Sequence, residues 1–389
     1  MSKILSKKII KVIQKVTGKK KSNLHEPKFS GKEIDLLKKC IKSNYVSTVG
    51  PQVEIFEKKL AKLTGAKYVI ACVNGTSALH LSLKSINIDK NCEVLLPSLS
   101  FVASANAVNY CGGTPHFVDS DKKTLGVNPE KLERYLEKTC TVKRNICFNK
   151  KTKKRISALI VVHIFGHPGE IFKIRKLCKK FFINLIEDAA EGIGSYFHNQ
   201  HVGTFGKIGI ISFNGNKTIT TGGGGAIITN NKKIANIVKS LSTTNKLPHP
   251  WKYDYEAVGY NYRLPNINSA LGIAQLNSLK KILADKRNLF KKYKKEFSKI
   301  REIDFFHEPK FCKSNYWLNA ILLKNSSILK RDYIINKINK KKIQVRPCWK
   351  LLHRLKHFAN CPKMNLDEAI SLESKIITLP SSPIYGSHK

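Results

Sequence analysis

Between residues 68 and 187 the sequence keeps repeating one pattern. A short, almost uninterrupted apolar run is followed by a segment with helical apolar spacing, and then by another apolar run. The runs are 68–73, 92–97, 116–118, 156–164 and 183–187, and helical spacing fills 77–86, 102–110 and 170–181, with two more such segments at 33–42 and 53–63. A strand that is apolar on both sides must be covered on both faces, and a helix between successive strands provides that cover. The pattern predicts an α/β fold built on a large, mostly parallel sheet.

Two stretches depart from it. Residues 138–155 are basic and read as an exposed hairpin or loop. From about Gly259 a long helix over 267–296 leads into an α+β tail with strands near 317–323 and 343–346. The predicted division is a basic N-terminal extension over 1–24, a large domain over 25–258 and a smaller C-terminal α+β domain over 259–389. Ligands are expected in the cleft between the two larger units.

Composition bears on partners. Lys and Arg number 70 against 27 Asp and Glu, a formal charge of +43, and 60 of the 70 are lysines spread over nearly every row. Nucleic-acid surfaces lean on Arg for bidentate contacts, and the sequence has no zinc-finger spacing or RNA-recognition signature, so no nucleic-acid partner is expected. The ten cysteines form no C-x-x-C pair and read as reduced, mostly buried thiols of a cytoplasmic protein. Residues 1–22 carry eight lysines interleaved with Ile4, Leu5, Ile9, Ile10, Val12, Ile13 and Val16, a basic amphipathic helix rather than a signal peptide. Packing against the body is the favoured reading, with weak membrane contact as the other.

Three segments carry chemistry. Asn74-Gly75-Thr76-Ser77 sits between a strand and a helix, where helix-initial N–H groups and hydroxyls suit either a phosphate or a helix cap. Glu187-Asp188-Ala189-Ala190-Glu191 places carboxylates at the end of an apolar strand, either as ligand groups or as a cap. Lys217, followed by Gly222 to Gly225, is either a loop lysine in a Gly-rich turn or a shielded amine able to form a Schiff base. His163 and His167 have no Cys or carboxylate at ligand spacing, and no metal site is expected.

Taken in order, these segments resemble the DegT/StrS-type sugar aminotransferases, pyridoxal-phosphate (PLP) enzymes of fold type I. The markers are 74–79, 96–101, 162–166, 187–190, Ser212-Phe213 with Lys217, and Gly259-Tyr260-Asn261-Tyr262-Arg263. The resemblance implies that Lys217 holds PLP covalently and moves the proton, and that Asp188 pairs with the pyridine nitrogen. It further implies a phosphate cup of Gly75, Thr76, Ser77 and Ser212, with Phe101 and Ala190 on the two faces of the ring and Glu191 near the phenolic oxygen. Asn261 would reach the cofactor phosphate of a neighbouring subunit, making the protein a homodimer with shared sites, and Arg263 would meet the substrate diphosphate. Trp317 in 314–317 and Arg346 and Trp349 in 346–349 read either as packing of the small domain or, by the resemblance, as a subgroup's substrate-facing segments, and His163 is a further expected substrate contact.

The subgroup resemblance rests on Gly222-Gly223-Gly224-Gly225, where many members have Gly-Glu-Gly-Gly, together with His25-Glu26-Pro27, 44–50 and 162–168. It implies amino transfer from glutamate to C4 of a UDP-linked 4-keto-6-deoxy-N-acetyl-hexosamine, feeding surface glycans such as lipopolysaccharide. The rivals are a sugar dehydratase of the same fold, in which the lysine is replaced, and a non-catalytic basic-surface binding protein. The presence of Lys217 and Asp188 counts against both.

Overall fold

The apolar runs become strands of one nine-stranded sheet in the computed structural model, which describes residues 2–387. Across its main path the order is Tyr68–Cys72, Gly225–Thr229, Ile208–Ser212, Asn184–Asp188, Arg155–Val162, Cys92–Pro97 and Thr114–Val118. The four junctions from Ile208–Ser212 to Thr114–Val118 are parallel, and Gly225–Thr229 runs antiparallel to both of its neighbours. The basic interruption is a hairpin, Cys140–Lys143 paired with Ile146–Asn149, at the side of this sheet.

Two of the central strands, Ile208–Ser212 and Gly225–Thr229, lie in a region that the sequence pattern read only as a glycine-rich lysine segment. Both are fully buried. Their glycines serve close backbone contacts rather than turns. A Cβ on Gly209 would collide with the Gly203 carbonyl, and one on Gly225 would stand 2.5–2.7 Å from Asn74 C, Asn74 O and Gly75 N.

The C-terminal part is organised by the 32-residue helix Asn266–Phe297. Helices Lys32–Lys42 and Pro51–Thr64 pack along it, and beyond it lies an antiparallel sheet ordered Ile303–Phe305, Asn319–Leu323, Ile376–Leu379, Arg346–Pro347. A last helical turn, Ile384–Ser387, packs against the same long helix.

The N-terminal helix Ser2–Thr17 buries Leu5, Ile9, Ile13 and Val16 in a cluster with Leu289, Tyr293, Phe297, Ile334 and Ile338. The apolar face that a membrane surface would need is thus covered by protein. Two of its lysines pair with acids of the body, Lys8 with Glu302 and Lys15 with Glu296, each at 2.9 Å. Among the described residues, no helix is long and apolar enough to cross a membrane. All ten cysteines are free and eight are buried.

Because Ile13 is fully buried in this cluster, Ile13→Ala should lower unfolding stability by about 2–4 kcal/mol. Lys11→Ala on the outer face should change it by less than about 0.5 kcal/mol. Urea unfolding of both variants checks this; equal, small effects would mean that the helix is not part of the core.

Candidate active site

The parallel strands Tyr68–Cys72, Cys92–Pro97, Arg155–Val162, Asn184–Asp188 and Ile208–Ser212 end on one side of the sheet, and each end contributes to a single cavity of 320 Å³. Ligands of open α/β sheets bind at such carboxyl ends. The lining includes Asn74, Gly75 and Thr76; Ser100 and Phe101; Asp188, Ala190 and Glu191; Ser212, Asn214, Asn216 and Lys217; and Trp317 and Trp349 from the C-terminal part.

One wall is the start of helix Gly75–Ser85. Gly75 and Thr76 are its first two residues, so their N–H groups have no helical carbonyl to meet and are available to an anion. Asn74 caps the helix by accepting from Ser77 N at 2.7 Å. The turn is therefore a cap and a potential phosphate cup together, with the two functions divided among its residues. Ser77 gives its N–H to the cap. A Cβ on Gly75 would lie 3.1 Å from the Ser212 Cβ, so a side chain there would crowd Ser212.

The floor is Asp188, the last residue of its strand and buried. Its Oδ2 accepts from Ser104 Oγ at 2.7 Å and its Oδ1 from Ala190 N at 3.1 Å, fixing the carboxylate in one orientation. The next acid along, Glu191, accepts from Phe165 N at 2.8 Å, and its other oxygen lies 3.5 Å from Lys217 Nζ. Burial pushes the Glu191 carboxyl up to about 7, with the Lys217 charge and the Phe165 N–H pulling the other way.

Lys217 sits in the connection between Ile208–Ser212 and Gly225–Thr229. Phe213 closes the base of that loop: its N–H donates to Gly224 O, and its carbonyl accepts from Thr221 N. Lys217 Nζ lies 4.1 Å from the centroid of the Trp317 ring, a cation–π contact. Trp317 is held in turn by donating from Nε1 to Asn216 O at 2.7 Å.

A second cavity, of 460 Å³, adjoins the first and shares Asn216, Trp317 and Trp349 with it. Arg346 lines it together with His25, Gln344 and Thr378. The remaining expected contacts lie elsewhere. Asn261 is exposed, accepts from the Arg263 guanidinium at 3.1–3.2 Å, and neither residue lines the cavity of its own chain.

His163 is fully buried behind the site, with Nε2 3.0 Å from Glu187 and Nδ1 accepting from Gly169 N. Both ring nitrogens are engaged there, which leaves none for a substrate. The glycine run brings strand and turn backbones together at Gly225. Ser104 was not assigned from the sequence, since it reaches Asp188 from a separate helix without a local motif, whereas Trp349, in the segment 346–349, lines both cavities.

The residues present fit PLP. A helix start with free N–H groups and Ser212 suit its phosphate, an oriented buried carboxylate suits its pyridinium nitrogen, Phe101 and Ala190 border a slot for its ring, and Lys217 offers the amine that binds its aldehyde. Fold and site together define a PLP-dependent aminotransferase of fold type I.

The particular family follows from comparison with known proteins. Residues 27–388 match the DegT/DnrJ/EryC1/StrS aminotransferase family. The chain belongs to that family. It is 33% identical over 366 residues to GDP-perosamine synthase of Escherichia coli O157:H7, covering 94% of each chain. It is 34% identical to GDP-perosamine synthase of Vibrio cholerae, covering 92% of this chain and 94% of the relative. Among solved structures it resembles a DegT DnrJ EryC1 StrS aminotransferase from Brucella abortus (TM-score 0.82, 28% identity, 91% of each chain). It also resembles Helicobacter pylori PseC, an aminotransferase involved in the biosynthesis of pseudoaminic acid (TM-score 0.82, 25% identity, 92% and 93% covered). The protein is a sugar aminotransferase that uses PLP.

The raised Glu191 carboxyl makes a pH prediction. Folded Glu191 holds its proton to about 7, whereas the unfolded side chain releases it near 4.5. Its contribution to stability is fully present below about 4.5 and is lost as pH rises towards 7. Glu191→Gln lacks this loss, so the apoprotein variant should gain about 2–3 kcal/mol relative to the parent between pH 4.5 and 8. Urea unfolding at the two ends of that range measures it, and a difference independent of pH would contradict it.

Proposed function

We propose that the protein moves an amino group from glutamate to C4 of a UDP-linked 4-keto-6-deoxy-N-acetyl-hexosamine, for surface-glycan biosynthesis in the cytoplasm. The observation that carries amino transfer is the placement of Lys217 Nζ 3.5 Å from Glu191 and over Trp317, in the cavity whose floor is Asp188. When bound, PLP carries the amino group from one substrate to the other. Lys217 Nζ would be the base that takes and returns the substrate proton, and Asp188 would favour the protonated form of the ring nitrogen. Glu191, whose burial lets it keep a proton up to about 7, would stand near the phenolic oxygen and could offer it a hydrogen bond.

The sugar is assigned to the adjoining cavity. Trp317 and Trp349 offer flat apolar faces to the sugar ring, and Arg346 offers a guanidinium. The UDP-linked 4-keto-N-acetyl substrate is what the subgroup resemblance of the four-glycine run, His25-Glu26-Pro27, 44–50 and 162–168 implies. A GDP-linked keto sugar is the second reading, favoured by the names of the two GDP-perosamine synthases.

The homodimer is part of the same proposal. Segment 247–258 exposes Leu247, Trp251, Tyr253, Tyr255 and Val258, with Trp251 at 74% and Val258 at 83%, immediately before the exposed Asn261. An apolar surface of this kind is suited to burial against a second copy. In that arrangement Asn261 would serve the partner's phosphate cup and Arg263 its nucleotide diphosphate.

Incubating the enzyme with glutamate and UDP-, GDP- and dTDP-linked 4-keto sugars tests the substrate. The UDP-linked 4-amino product is expected, and a tenfold higher kcat/KM for the GDP sugar would replace the first reading by the second. Lys217→Ala should lower turnover by about 10³-fold or more, and unchanged turnover would refute the assignment of the amine. Sedimentation should show a dimer, and a fully active monomer would refute shared sites.

A further inference from the structure

One buried cation has no place in the chemistry described so far. Lys286, in the middle of helix Asn266–Phe297, is fully buried, and its partners are two carbonyls and an imidazole rather than a carboxylate. Its Nζ is 2.8 Å from Ser381 O, 3.2 Å from Trp317 O and 2.9 Å from His25 Nε2. A buried ammonium without a counter-ion is costly, and burial draws Lys286 down to about 7. Three acceptors converging on one point nevertheless call for a group with three donors, which among side chains of this shape only lysine supplies.

Two of the three partners, Trp317 and His25, lead towards Lys217. The Trp317 backbone is fixed on one side by Lys286 and on the other by Asn315, whose Oδ1 accepts from Trp317 N at 2.8 Å. Asn315 in turn donates to Glu191 O at 2.7 Å and Ile193 O at 2.8 Å. The indole thus clamped lies under Lys217 Nζ and donates to the carbonyl of Asn216, the residue before Lys217.

His25 closes the same ring of contacts. With Lys286 as donor, Nε2 accepts and the ring proton is on Nδ1, which lies beside Asn216 in the lining of the adjoining cavity. The reverse tautomer would turn a bare lone pair towards the Asn216 carbonyl. Burial and the two flanking ammonium groups, Lys286 and Lys217, hold the imidazole neutral, well below its usual range.

We propose that Lys286 is a positioning residue for the transfer reaction: it fixes Trp317 and His25, and through them the Asn216 carbonyl and the height of Lys217 above the indole. The proposal rests on the assignment of Lys217 as the reacting amine. In effect Lys286 is a peg joining the segment around His25, the long helix, the approach to strand Asn319–Leu323 and the residue Ser381 beyond strand Ile376–Leu379 at the back of the site.

Lys286→Met, loaded with PLP, tests it. The variant should bind the cofactor, but its visible circular dichroism per bound PLP should fall at least twofold, because the amine that holds the cofactor is no longer fixed in one orientation. Its kcat should fall about tenfold with the sugar KM within twofold. A merely structural lysine would lower the urea midpoint without changing the dichroism of the folded holoenzyme, and unchanged dichroism with kcat within twofold overturns the proposal.

If Lys286→Met does not fold, His25→Gln and His25→Leu take its place. Gln offers an amide oxygen to Lys286 and should keep at least half of kcat, whereas Leu should lose about fivefold. Equal activity of the two overturns the proposal. A Lys217→Ala protein with full turnover would instead remove the reading on which it rests.

Discussion

The position of Lys217 depends on the reversal of one strand. Ile208–Ser212 ends at the same side of the sheet as Asp188, and a parallel successor would have carried the chain away over a face of the sheet. Instead the chain turns back as Gly225–Thr229, and the loop between them stays above the strand ends with Lys217 near its middle. The returning strand must also pass against the Asn74-Gly75 backbone at van der Waals limits, which only a glycine at 225 permits. Phosphate turn, carboxylate and lysine are thus brought together by backbone registers before any side-chain contact is considered.

Behind that frame lies a second fixed point. Glu187, fully buried, accepts from Gly203 N, Phe205 N and Gly206 N at 2.6–2.8 Å and meets His163 Nε2 at 3.0 Å. A buried carboxylate is tolerated when several donors converge on it, and here they tie the loop that precedes Ile208–Ser212 to the strand carrying Asp188. The adjacent acids Glu187 and Asp188 therefore point to opposite duties, one holding the scaffold and the other facing the cavity. Strand alternation is the reason, since successive side chains leave opposite faces of the sheet.

Much of this was legible in the sequence. The fold class followed from apolar runs alternating with helical spacing, and that signal is strong because both sheet faces are covered. Gly75, Thr76, Phe101, Asp188, Ala190, Glu191, Ser212 and Lys217 were all assigned, and all line one cavity. Strands Ile208–Ser212 and Gly225–Thr229 were missed because Gly209 and Gly225 imitate loop punctuation, while their real cause is a neighbouring backbone that no local window contains. His163 was assigned by position within a motif, and the engagement of both its ring nitrogens turns it to structural work. Lys286 was invisible among 60 lysines, since composition cannot separate a solvated ammonium from a buried one.

The way the first residues reach the site has a consequence for the order of assembly. Beyond helix Ser2–Thr17, Ser22 bridges Ile343, Asn23 N donates to the Tyr385 hydroxyl, Leu24 O accepts from Ser381 N, and Glu26 N donates to Ser382 Oγ. His25, within this run, can take its place only after residues some 360 positions downstream have been synthesised and folded. Contacts of such long sequence separation close late and slowly. The catalytic centre should then mature after the sheet: the strands can form early, but the wall contributed by His25 and Trp317 waits for residues 381–385 to be synthesised and folded.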